Sequence, residues 1–267
     1  MNYEDYEQTF ASAPVRYALD DHDSDEENEA CAQLEQITVE TKLTFDSKDI
    51  ESSKWTLIFG LNGPGNVFIN SLEGVTTTSI GTVERLFKNE SSTTKANIRR
   101  IANESILLIP FTKEIQAEEA ASYTKAVFNA FKKSVEKVIV LDSFTAAGYT
   151  SETWNEDMVP PSLRVLQTSS APVIEALPLF EIPNMIKALA ASIVNYCEIY
   201  SIPCYDFLTL QESIYGKLLV NEETLEAYSQ GFQHLGLEFK FNEQAMKKIL
   251  NDIHTGRVDD NHHRLYL

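Results

Sequence analysis

An α/β fold is what this sequence predicts: one domain with a mixed, largely buried β-sheet covered by helices. Three observations carry the prediction. Short apolar runs rich in β-branched and aromatic residues recur along the chain. Segments with helical spacing of apolar residues lie between them, and that alternation is the pattern of a sheet packed against helices. The composition, 43% hydrophobic and 23% charged over 267 residues, supplies a sizeable core.

Taken in order, ITVETKLTF (37–45) alternates with period two and predicts a half-exposed strand. KWTLIFGL (54–61), ILLIPF (106–111), KVIVLDSF (137–144) and LRVLQTS (163–169) are apolar enough for strands buried on both faces. VFINSL (67–72) reads as another strand, which makes GPG at 63–65 a tight turn. QAEEAASYTKAVFNAFKKS (116–134) places Ala120, Tyr123, Val127, Ala130 and Phe131 on one helical face, with acids at its start and lysines at its end to suit the helix dipole. A helix over 183–200 opens on Pro183 and is apolar nearly all round, which predicts deep burial. IPCYDFLTL (202–210) follows as a strand, then a helix from Asn221 to Gly236 with both ends as caps. A last helix, 242–254, starts on Asn242 and stops before Gly256.

The net charge is −18, and it is unevenly spread. Residues 1–30 hold ten acids against Arg16 alone. The predicted organisation is an acidic leader over 1–33, extended or disordered unless bound, an α/β body over 34–253, and a tail over 254–267. Tyr3, Tyr6 and Phe10 punctuate the leader, which is either a solvated tail or a secondary partner-binding peptide. With no basic patch, neither nucleic acid nor an anionic membrane is an expected partner. Cys31, Cys197 and Cys204 lack CxxC spacing, so a reducing compartment, the cytoplasm, is expected. The start has no signal-peptide pattern, and no run of about 18 apolar residues occurs.

Chemistry is harder to find. GLNGPGN (60–66) follows an apolar strand but matches neither GxGxxG nor GxxxxGK[ST]. Asp142 and Ser143 stand at a strand's carboxyl end, where α/β sites often form, yet no histidine is near in sequence. His254, His262 and His263 are irregularly spaced, so no metal is expected, and no cofactor or catalytic residue is assigned.

The chain finishes NHHRLYL. Leu265 and Leu267 would each recover up to about 1.5–3 kcal/mol on entering a pocket. Tyr266 adds a rigid ring with one directed hydroxyl, and a carboxylate follows. Apolar residue, tyrosine, any residue, carboxylate: this resembles the HbYX motif by which activators and assembly factors dock on the core proteasome. With the acidic leader and a body lacking an evident active site, the whole chain resembles the fungal proteasome assembly chaperone 1 family. The resemblance implies a cytosolic, non-enzymatic chaperone paired with a related chaperone 2 on the α-ring of the 20S proteasome. It also implies that Leu265, Tyr266 and Leu267 enter a pocket between α subunits, where a lysine takes the terminal charge and premature activator binding is blocked. No nucleotide is implied.

Three other readings stand beside it. Leu-x-Leu-carboxylate also fits a PDZ-type ligand on a scaffold protein, in which Tyr266 matters least. A hydrolase or phosphorylase-like enzyme would use the Gly60–Gly65 loop and Asp142, and predicts a concave pocket at the strands' carboxyl ends with shifted titrations. The tail could also fold back on its own body.

Overall fold

The computed structural model describes residues 38–44, 53–86, 92–131, 134–151, 161–214 and 217–261. Its strands are β1 (Thr38–Leu43), β2 (Trp55–Gly60), β3 (Thr77–Leu86), β4 (Ser92–Ile101), β5 (Ile106–Pro110), β6 (Val135–Phe144), β7 (Leu163–Gln167) and β8 (Cys204–Leu210), with a small ribbon of β9 (Ser213–Ile214) and β10 (Lys217–Leu218). The helices are α1 (Pro64–Asn70), α2 (Ala117–Phe131), α3 (Ala188–Ile199), α4 (Glu222–His234) and α5 (Glu243–Asn261). Eight strands form one sheet in the order β1-β3-β4-β5-β2-β6-β8-β7.

Burial explains the direction of each strand. In β5 and β8 every residue is buried, and these strands run parallel with β2 and β6 through the centre of the sheet. Parallel strands need both faces covered. On one face Leu57, Phe59, Val138, Val140 and Cys204 pack against Tyr123, Val127 and Phe128 of α2 and Ile193 of α3. On the other, Ile58, Ile139, Leu141 and Phe207 meet Phe68 of α1, Tyr228 and Phe232 of α4, and Met246 of α5. The outer strands run antiparallel: β1, β3 and β4 on one side and β7 on the other. Edge strand β1 shows the alternating exposure that its period-two pattern predicts. The result is the expected α/β domain with a mixed sheet between helical layers.

Several local expectations are corrected. Residues 67–70 are helical: Pro64 sits in the first turn of α1 and Gly63 precedes it at φ 106°. A short run buried all round carries no period, so strand and helix look alike in sequence. Helix α3 starts at Ala188, five residues after Pro183, because Asn184 ties the intervening loop by donating to the carbonyls of Thr150 and Glu181. Nor is α3 deeply buried throughout, since Ile199 is 67% exposed. Helix α5 continues past Gly256 to Asn261. Strands β3 and β4 escape the period-two pattern because register shifts between Ser79 and Gly81 and between Val83 and Glu84 break it.

Candidate functional site

Four parallel strands end together, and the chain opens a cleft of about 1330 Å³ there. Its lining comes from the loop after β2, the residues following β5, the end of β6, the segment before α3, the end of β8, β10 and Leu250 of α5. The pocket that an enzymatic reading predicts at this place is therefore present, and its chemistry can be read directly.

The Gly60–Gly65 loop is a packing device. A Cβ on Gly60 would lie 2.5 Å from the Gly65 carbonyl oxygen, and one on Gly65 would lie 2.2 Å from the Leu141 carbonyl oxygen. Leu61 N–H donates to Leu141 O at 3.1 Å and Phe111 N–H to Gly60 O at 2.8 Å, which locks the loop onto β6 and β5. Gly60 and Gly65 let α1 sit tight on the sheet.

Asp142 occupies the end of β6. Its Oδ1 accepts from Ser143 N–H at 2.8 Å, and its carbonyl accepts from the Tyr228 hydroxyl at 2.5 Å. Burial raises the carboxyl to about 6, partly offset by the Ser143 bond. Strand register places Asp206 of β8 opposite Val140, on the same face as Asp142. Asp206 is fully buried, and neither carboxyl oxygen has a partner among the described residues. Burial, and then the charge of Asp142, push it well above the ordinary carboxylate range. Two electrostatically linked carboxyls thus lie under the cleft, and burial without a partner disfavours the charged form of the deeper one. Ser143 Oγ donates to Gln211 Oε1 at 3.1 Å, and no histidine lines the cleft among the described residues. That pairing gives the serine no base, so the arrangement lacks a nucleophile–base couple.

A second feature lies along the β7 edge. Val165 N–H donates to Pro178 O and Phe180 N–H to Val165 O, so residues 178–180 form a strap on the sheet. Phe180 anchors it, with ring centroids 5.7 Å from Phe144 and 5.4 Å from Tyr149. The same segment leaves Val173 70%, Leu179 56%, Ile182 92% and Met185 77% exposed. Large apolar side chains concentrated in this way mark interaction surfaces. The sequence signal for it is APVIEALPLFEIPNMI, apolar residues broken by three prolines so that no regular element can bury them. Sequence reasoning passed over residues 171–182 and Asp206, and placed residues 183–186 in a helix. The tail residues Leu265, Tyr266 and Leu267, and Tyr3, Tyr6 and Phe10 of the leader, lie outside the described residues.

The family model PAC1, described as proteasome assembly chaperone 4, matches residues 18–267. The chain belongs to this family of proteasome assembly chaperones. Relatives named proteasome assembly chaperone 1 include one from Dictyostelium discoideum, 25% identical over 182 residues, covering 64% of this chain and 65% of that protein. Another, from Xenopus tropicalis, is 28% identical over 121 residues, 43% of this chain and 42% of that protein. The human relative is 22% identical over 107 residues, 40% and 37% of the two chains. The matched stretch thus spans from under two thirds to about two fifths of these relatives. Pyrococcus furiosus PbaA, an archaeal homolog of proteasome-assembly chaperone, has the same fold at a TM-score of 0.52 and 14% identity, over 80% of this chain and 92% of that one. So does P. furiosus PbaB, an archaeal proteasome activator, at a TM-score of 0.52 and 10% identity, over 83% and 98%. A family of assembly chaperones gives an enzymatic reading of the cleft no support. No helix among the described residues is long and apolar enough to cross a membrane.

Proposed function

We propose that this chain acts in the cytoplasm as an assembly chaperone of the 20S core proteasome, paired with a related sister chaperone on the α-ring. In this reading Leu265 fills an apolar pocket between α subunits, Tyr266 directs its hydroxyl to one acceptor, and the Leu267 carboxylate meets a lysine. Occupation of that pocket denies it to activators until assembly is complete. The observation that carries the reading is the family match over residues 18–267, which takes in the apolar–Tyr–Leu ending. The exposed segment with Val173, Leu179 and Ile182 supports a sister subunit, because large apolar side chains left in water favour a partner. Tyr3, Tyr6 and Phe10 are secondary partner contacts in the same account.

The test is recovery of assembling core particles on the intact chain and on a chain lacking residues 265–267. Loss of core-particle intermediates on deletion supports the reading; full recovery contradicts it. The PDZ alternative is separated by Tyr266→Ala, which that mode tolerates.

A further inference from the structure

We propose that the cleft at the carboxyl ends of the parallel strands receives an acidic, apolar peptide segment from a partner protein. This goes beyond the tail-docking reading and does not depend on it. The first argument is charge. Lys113, Lys187 and Lys217 line the cleft, all exposed, and none makes an ion pair among the described residues. Lys95, Lys125, Lys137, Lys240 and Lys248 also form no ion pair among the described residues, so what sets the cleft apart is that it gathers three such lysines at one opening on a chain of net charge −18. The acids that line the cleft are Glu114 and Asp142, and one oxygen of Asp142 is already taken by Ser143 N–H.

The second argument is a donor open to the cleft. Gln211 lines the cleft at 4% exposure. Its Oε1 accepts from Ser143 Oγ and its backbone N–H donates to Phe144 O, so its Nε2 is the remaining donor, without a partner among the described residues. That nitrogen is not shut away from solvent, so it offers a hydrogen-bond donor to whatever occupies the cleft. The walls are apolar, with Phe111, Phe180, Met185 and Leu218, and the volume exceeds the ~300–1,000 Å³ usual for small-molecule sites. A peptide meets all three conditions: apolar side chains on the walls, a backbone carbonyl on Gln211, and acidic side chains on the lysines.

The experiment measures binding of two dye-labelled, acetylated and amidated hexapeptides to the full-length protein by fluorescence anisotropy. One has the order Glu-Leu-Glu-Phe-Leu-Glu; its twin carries Gln in place of each Glu. The acidic peptide is expected to bind on the order of ten-fold tighter at low salt, with the margin shrinking as salt rises. Replacing Lys113, Lys187 and Lys217 together by Ala is expected to bring the ratio close to one. Met185→Asp, at a position 77% exposed, is expected to weaken both peptides without unfolding the chain. Equal affinities of the two peptides overturn the proposal, as does a triple variant that keeps the preference. Competition by citrate at concentrations near its own low-salt binding would make the occupant a small anion and overturn it too. A rise in peptide affinity on removing residues 262–267 would show that the chain's own tail is the occupant.

Discussion

Asp142 and Asp206 spend free energy on being buried, and the sign of that expense is testable. A carboxyl raised from 3.8 to about 6 contributes most to the folded state below about pH 4, and the contribution is lost as pH rises through about 6. Asp142→Asn keeps an acceptor for Ser143 N–H and removes the titration. Its urea-unfolding free energy, relative to the parent, is expected to be higher at pH 7 than at pH 4 by on the order of 2–3 kcal/mol. No change in that difference would show that Asp142 is solvated. Gly65→Ala tests the loop reading: a Cβ 2.2 Å from the Leu141 carbonyl oxygen must displace α1. A loss of roughly 2–4 kcal/mol is expected in the same assay, and a neutral result would free the glycine for another role. Asp142 and Ser143 could be singled out from the strand end in LDSF, whereas Asp206 could not. CYDFLTL shows one acid in an apolar strand but nothing about which face it takes or what lies opposite.

Periodicity decided which elements were readable. Helices α2 and α4 were legible because one face is apolar and the other wet; β8 was legible because a continuous apolar run bounded by proline has few other uses. Asn221 was recognised as a cap from its residue type, and the structure shows its side chain accepting from Thr224 N–H at 2.8 Å. Asn221→Ala is therefore expected to lower the thermal midpoint, at a cost of about 1 kcal/mol. Strands β3 and β4 were illegible because their irregular register defeats alternation, and Gly81 belongs to that irregularity. Its absent Cβ lets the β1 backbone approach, since a methyl there would stand 2.4 Å from Lys42 O. Helix α1 was misread for the opposite reason: burial on all sides erases the helical stripe. Residues 171–187 carried a signal, prolines among apolar residues, that identifies an exposed strap only once β7 is known to be an edge strand.

At the scale of the whole molecule, the proposed function gives the exposed apolar segment and the C-terminal tail one joint role: holding a partner while docking on a larger assembly. Ile182→Asp, at a position 92% exposed, is expected to leave the unfolding midpoint of the isolated chain within about 0.5 kcal/mol of the parent. The same change is expected to weaken co-purification with the sister subunit several-fold; an undiminished yield would move that interface elsewhere. The fold could be anticipated from the core pattern, and the NHHRLYL ending suggested the family that the match over residues 18–267 shows. The cleft could not, because it is assembled from separated stretches between Leu61 and Leu250 that converge only when the strands align. The central claim is that the tail docks through its tyrosine. Its most direct test is the affinity of the chaperone pair for purified core particles with Tyr266 and with Tyr266→Ala, measured under one salt condition. A loss of at least about ten-fold, roughly 1.4 kcal/mol, is the predicted result, and unchanged affinity would contradict the account.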